Sequence, residues 1–173
     1  GLADLCRERG ARSVLVVTDP GIMSVGLLEN ALATFTDVAV EVFSQVEADP
    51  PDTTIRAAVE QARVCQADLV VGFGGGSSMD VAKVVALLAS QGCDQALEDL
   101  YGVGNACGRR LPLIQVPTTA GTGSEVTPIA IVTTGETTKS GIVSPILLPD
   151  LALLDPELTL GLPPLVTAAT GID

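Results

Sequence analysis

Histidine and tryptophan are absent from the 173 residues, and aromatic side chains make up only 2% of them. With so few rings, a core must be filled by Val, Leu, Ile and Ala, which carry most of the 47% hydrophobic content. That mixture suits buried parallel strands flanked by helices. Without histidine, the four cysteines, Cys6, Cys65, Cys93 and Cys107, offer no zinc site; their spacing is irregular and contains no C-x-x-C pair. They read as free thiols of a reducing compartment.

Cations are scarce too. Nine Lys and Arg stand against 21 Asp and Glu, a formal net charge of -12. A chain this acidic repels nucleic-acid backbones and anionic lipid surfaces, so neither nucleic acid nor membrane is expected as a partner. The balance fits a cytoplasmic protein. Any phosphate ligand must then be held locally, by backbone N–H groups. No apolar run reaches membrane-spanning length. The opening Gly1-Leu2-Ala3-Asp4-Leu5 has neither the basic head nor the apolar middle of a secretory signal. It reads as the interior of a helix, and both ends read as cut. The length suffices for one domain with a sizeable core, or for a domain plus a fragment of a second.

What is present alternates strand and helix patterns. Val14 to Val17 forms a β-branched run ending at Thr18-Asp19-Pro20-Gly21, a turn signal. Ile22, Val25, Leu28, Ala31, Leu32 and Phe35 keep mostly helical spacing. Asp37 to Phe43 predicts a second strand. Asp49-Pro50-Pro51-Asp52 breaks the chain before a helix whose apolar face is Ile55, Ala58, Val59 and Ala62. Asp68 to Phe73 predicts a third strand, and Val81, Val84, Val85 and Leu88 mark the helix after it. This order predicts an α/β fold: a Rossmann-like parallel sheet with right-handed crossovers and helices on both faces. After Gly92 the pattern loosens. Leu111 to Val116, Ile129 to Thr133 and Ile142-Val143 read as strands, and Asp150 to Asp155 as a return to the main sheet. Leu165 to Asp173 reads as the opening of a helix.

Two loops carry chemistry. Gly74-Gly75-Gly76-Ser77-Ser78 joins a buried strand to a helix. Glycines let the backbone turn tightly and approach a ligand closely, and the helix N-terminus offers unpaired N–H groups to an anion such as a diphosphate. The register fits neither a P-loop nor a G-x-G-x-x-G fingerprint; the strand–glycine–helix context favours a phosphate, and a tight connection without a ligand is the alternative. Ser77 or Ser78 can cap the helix, with Asp80 completing a capping box. Asp80 and Lys83 read as a capping residue and a surface partner rather than as catalytic groups. The second loop, Pro117 to Pro128, gathers Thr118, Thr119, Thr122, Ser124 and Thr127 around Gly121 and Gly123. It can present hydroxyls to a polar ligand or be a solvated loop of turn formers. Asp19, at a strand's end, can accept from ribose hydroxyls and repel a 2′-phosphate, or merely open an Asp-Pro-Gly turn.

Taken together, the chain resembles the iron-containing (group III) alcohol dehydrogenases. The resemblance rests on Val17 to Gly21, Gly74 to Lys83, Pro117 to Thr127, Asp155-Pro156-Glu157-Leu158-Thr159-Leu160-Gly161-Leu162-Pro163-Pro164 and Thr167-Ala168-Ala169-Thr170-Gly171-Ile172-Asp173, which in this order run through nearly the whole chain. It implies a dinucleotide-binding α/β domain over 1–162 and the start of a helical metal-binding domain over 163–173. It implies NAD, with Gly75, Gly76, Ser77 and Ser78 on the diphosphate and Thr118, Thr119, Thr122 and Thr127 lining the cleft. Lys139 matches a lysine beside the ribose, Leu158 and Leu162 match residues over the adenosine, and Asp19 matches the acid that goes with NAD preference. Asp173 matches the first ligand of a divalent metal, iron or alternatively zinc. The implied activity is oxidation of an alcohol, or reduction of an aldehyde or ketone, by hydride transfer. An association into a homo-oligomer is left open. The chain departs from the family pattern in lacking the strand pair before the first helix and in carrying Asp49-Pro50-Pro51-Asp52 where many members have Pro-Asn-Pro. A dehydroquinate-synthase-like lyase, which also pairs NAD with a metal, is the rival enzyme reading; a non-catalytic nucleotide-binding fragment is the other.

Overall fold

A computed structural model describes residues 1–135 and 137–172. The chain opens with α1 (Leu2–Glu8) and runs into β1 (Ser13–Val17). Two short helices follow, α2 (Pro20–Ser24) and α3 (Glu29–Leu32), then β2 (Ala39–Phe43), α4 (Asp52–Val64), β3 (Leu69–Gly74) and α5 (Gly76–Leu88). After these come β4 (Gly102–Val103), β5 (Leu113–Pro117), β6 (Ile129–Thr134), β7 (Thr138–Val143), β8 (Leu151–Ala152) and α6 (Pro164–Ile172). Short 3-10 turns fill several connections.

The main sheet is parallel throughout, in the order β2-β1-β3-β5-β8. Its strands bury both faces, and alternate residues go to opposite sides. Leu15, Val17, Val70 and Leu113 point to the face covered by α4 and α5. Val14, Val16, Val71 and Ile114 point to the other, covered by Leu2 and Cys6 of α1, Ile22 of α2 and Leu28. This is the expected α/β architecture with helices on both faces. The four predicted face residues of α4, Ile55, Ala58, Val59 and Ala62, are all buried.

The helix expected from Ile22 to Phe35 is instead two short helices, because Gly26 takes φ +69 between them, a conformation no helix can continue through. Beyond Gly92, a second sheet orders β4-β7-β6. Its β6 and β7 form an antiparallel hairpin, with Ala130, Val132 and Ile142 buried beside α4 and α5.

One edge of β6 faces away from β7, and an edge strand offers unpaired N–H and C=O groups. Here they find partners. Lys83 Nζ donates to the Ile129 carbonyl at 2.6 Å, and Ile131 N–H donates to Asp80 Oδ2 at 2.9 Å. Thr133 N–H donates to the Pro50 carbonyl at 3.0 Å. A helical i, i+3 pair therefore docks alternate residues of a strand, and joins the two sheets through α5.

Candidate functional site

Parallel sheets of this strand order place a crevice where neighbouring connections leave in opposite directions, here between the carboxyl ends of β1 and β3. A cleft of about 1160 Å³ opens there. Asp19, one residue past Thr18, lines one side; Gly75, Gly76, Ser77 and Ser78 lie at its floor. Thr118, Thr119, Thr122, Ser124 and Thr127 form the facing wall. Lys139, Leu162 and residues of α6 complete it.

The glycine loop is built as the sequence suggests, with one shift of register. The left-handed backbone falls on Gly74, at φ +151, where an added Cβ would meet Ser78 Oγ at 2.8 Å and Asp19 Oδ2 at 3.0 Å. Gly75, at φ -81 and ψ -172, is the N-cap of α5, and no side chain caps the helix. The expected caps by Ser77 or Ser78 are therefore corrected: both lie inside the first turn, where the first N–H groups of a helix have no internal partner. Ser78 Oγ instead donates to Asp19 Oδ2 at 3.3 Å. Asp19 in turn caps α2, accepting from Ile22 N–H at 3.0 Å. Asp19 thus opens the Asp-Pro-Gly turn and, at the same time, lines the cleft.

The two loops face each other. A Cβ added at Gly75 would approach Thr119 Cγ2 to 3.5 Å, and one at Gly76 would approach Thr122 Cγ2 to 3.2 Å. Among the described residues, the buried hydroxyls of Thr118 and Thr119 find no hydrogen-bond partner. Buried hydroxyls are ordinarily satisfied, so these two await an external polar group. Behind the loop, Gly121 at φ +147 packs so tightly on α6 that an added Cβ would collide with the Thr170 carbonyl.

Lys139 lines the cleft but is engaged, its Nζ donating to Asp49 Oδ1 at 2.7 Å. Asp19, Glu47 and Asp49 make the surrounding rim acidic. Leu158 is not among the cleft's lining residues; it packs half-buried against the cluster on the α1 face of the sheet. Asp173 lies outside the described residues. Among the described residues no three His, Cys, Asp or Glu side chains gather as metal ligands.

Two residues have roles that the sequence reading missed. Lys83, expected at the surface, is fully buried, and Asp80 is no cap. Lys83 Nζ donates to Ser124 Oγ at 2.9 Å, Thr127 Oγ1 at 3.3 Å, Asp80 Oδ1 at 3.4 Å and the Ile129 carbonyl. Ser124 Oγ also donates to Asp80 Oδ1 at 2.6 Å. Burial pulls the Lys83 ammonium below its usual pKa, partly offset by Asp80. A signal existed: Lys83 is the lone cation of a helix that is apolar nearly all round, and such helices are buried.

A family model for iron-containing alcohol dehydrogenase matches residues 1–156. The chain belongs to the iron-containing alcohol dehydrogenase family. It is 43% identical over 172 residues to long-chain-alcohol dehydrogenase 1 of Geobacillus thermodenitrificans, covering 96% of this chain and 43% of that protein. It is 41% identical to 4-hydroxybutyrate dehydrogenase of Cupriavidus necator, covering 97% of this chain and 44% of the relative. Sulfoacetaldehyde reductase from Bifidobacterium kashiwanohense, solved in complex with NAD+, superposes with a TM-score of 0.90 at 36% identity, over 99% of this chain and 46% of that one. The chain thus spans less than half the length of these relatives. The glycine and hydroxyl loops, which carried the resemblance in the sequence, are the two facing walls of the cleft.

Proposed function

We propose that this chain supplies the NAD-binding part of an alcohol dehydrogenase of the iron-containing type, one that oxidises an alcohol or reduces an aldehyde or ketone. The observation that carries the reading is the pairing of a helix N-terminus behind glycines with unpartnered Thr118 and Thr119 hydroxyls across one cleft. A dinucleotide fits this cradle. Main-chain N–H groups of Gly76, Ser77 and Ser78 would hold the diphosphate without any basic side chain, which an acidic cleft requires. Thr118, Thr119, Thr122 and Thr127 would donate and accept along the cofactor, and Leu162 would cover its adenosine end. Asp19 would accept from the ribose hydroxyls and disfavour a 2′-phosphate. Lys139, held by Asp49, would lie beside the same ribose.

The bound nicotinamide would supply the hydride-accepting chemistry. This chain's part is to orient it between the two loops and to exclude water from the floor of the cleft. The metal does not fit these residues: the chain has no histidine, and a single carboxylate such as Asp173 cannot hold iron or zinc against water. We assign residues 1–162 to the dinucleotide-binding domain and 163–173 to the start of a helical metal-binding one.

Calorimetric titration of the chain with NADH and NADPH tests the reading. Saturable binding with NADH the tighter ligand is expected, together with no metal-dependent alcohol turnover by this chain. Binding of neither dinucleotide, or tighter NADPH, refutes the assignment.

A further inference from the structure

From one turn of α5, Lys83 and Asp80 reach Ser124 and Thr127 at the far end of the hydroxyl loop and Ile129 and Ile131 on the edge of β6. Lys83 is fully buried, and its three ammonium protons are shared among four oxygens from Asp80, Ser124, Thr127 and Ile129. Asp80 is nearly as enclosed, with 14% of its side chain exposed, and spends its oxygens on Lys83, Ser124 and the Ile131 N–H. A pair of this kind is a poor source of net stability, because desolvating two charges costs about what their attraction returns. It is a good source of geometry, since both groups accept only partners in set directions.

We propose that Asp80 and Lys83 are a positioning pair, which fixes the Ser124–Thr127 end of the hydroxyl loop and the free edge of β6 against α5 and so holds the threonine wall at the distance the ligand needs. The glycine loop opens the same helix. One rigid element therefore sets both sides of the cleft: its N-terminus is the floor, and its second turn carries the clip for the facing loop. Thr118 N–H donates to the Gly74 carbonyl at 2.9 Å and Gly121 packs on α6, so the loop's first half is held elsewhere; the Ser124–Thr127 end is the part tied by the pair. Gly121 and Gly123 both adopt positive φ, and Val126 is exposed. Glu125 and Asp80 are the charged groups that act on Lys83. Lys83 is absent from the cleft lining, whereas Asp80 is part of it, so loop exchange is the readout that isolates positioning from a direct effect of the Asp80 charge on the ligand. The influence of Lys83 on a ligand passes through the residues it holds. The ligand arm of this inference rests on the dinucleotide reading above; the loop arm does not.

The experiment compares the parent chain with Lys83→Met and with the neutral double variant Asp80→Asn/Lys83→Met. Hydrogen exchange of the 118–131 amides reads loop position, and fluorescence of NADH reads the bound ligand. In the double variant no buried charge is left unpaired, so folding should recover towards the parent. Loop amides should still exchange faster, by about tenfold or more, and NADH affinity should fall by a similar factor with loss of the bound-nicotinamide emission change. A purely structural pair would give the opposite: recovery of fold, exchange and binding together. Parent-like exchange in a folded double variant overturns the proposal. If the parent itself does not bind NADH, the dinucleotide reading fails while the exchange arm still decides the positioning role. Should neither variant fold, Ser124→Ala/Thr127→Val keeps the ion pair and removes only the loop's tethers. Faster exchange confined to 118–127 then supports the pair's role, and unchanged exchange overturns it.

Discussion

On the glycine side of the cleft, α5 rises from β3 through a single left-handed residue, Gly74, and is held by apolar packing from Val81 to Leu88. On the hydroxyl side, the Ser124–Thr127 end of the loop is held by a buried cation and a nearly buried carboxylate. Non-directional packing tolerates a shift of a few tenths of an ångström; a lysine with four oxygen partners does not. The difference suggests a division of labour. The glycine wall must leave room and expose main-chain N–H groups, so it needs backbone freedom. The hydroxyl wall must present oxygens in fixed places, so it needs directional support from behind.

The largest effect should come from breaking the charged support. Asp80→Ala would leave Lys83 buried opposite hydroxyls and carbonyls only, at a cost of about 3–5 kcal/mol in unfolding free energy. Chemical denaturation measures it. A loss under about 1 kcal/mol is what a solvated surface pair would give, and would show that the two walls are held alike.

Next is the backbone of the other wall. At Gly74 the residue stands at φ +151, and its Cβ would press on Ser78 and Asp19. Gly74→Ala should therefore cost about 1–3 kcal/mol. Gly75 offers the informative contrast, because its φ of -81 suits any residue and its Cβ direction is open as far as Thr119, 3.5 Å away. Gly75→Val should keep the fold to within about 1 kcal/mol while filling the space between the walls. NADH affinity should drop at least about tenfold, as read by calorimetry beside circular dichroism. A folded variant that binds like the parent would mean the loop is only a tight connection.

The same contrast explains what the sequence made legible. Strand β3 and the glycine loop are contiguous in the chain, so apolar run, glycines and helix pattern could be read as one unit. The α4 face followed from its 3.6-residue period, and the return of β8 to the sheet from its apolar run. The support of the hydroxyl loop depends on pairs 41 to 51 residues apart, Lys83 with Ser124 and Asp80 with Ile131, and no local pattern encodes them. Lys83 looked like a surface charge because lysines usually are. The break at Gly26 was hidden because apolar spacing on either side stayed in helical phase. The two-residue β4 was hidden because a strand so short has no period. Of the proposed cleft residues, Leu158 alone is absent from the lining while Asp173 lies beyond the described residues; its motif gave chain order but not which way each leucine turns.

The smallest expected effect concerns the acid between the walls. Asp19 does two things at once: one oxygen caps α2 at Ile22 N–H, and the other accepts from Ser78 at the foot of α5. Asp19→Gly would mix a lost cap with a lost charge, so it is a poor test of cofactor preference. Asp19→Asn keeps a side-chain oxygen for the cap, and asparagine caps as well as aspartate, so stability should change by no more than about 0.5 kcal/mol. The negative charge is removed, however, from the side of the cleft where a ribose would lie. Like-charge repulsion between that carboxylate and a 2′-phosphate should then disappear. Because Asp19 is only half-buried, solvent and salt screen part of it, and the shift should be modest: the NADPH-to-NADH affinity ratio should rise about threefold to tenfold at low salt and less at high salt. Glu47 and Asp49 remain on the rim, so the preference should weaken rather than reverse. Paired titrations of parent and variant at two ionic strengths measure it. An unchanged ratio with the cap intact would move the discrimination from Asp19 to those two neighbours.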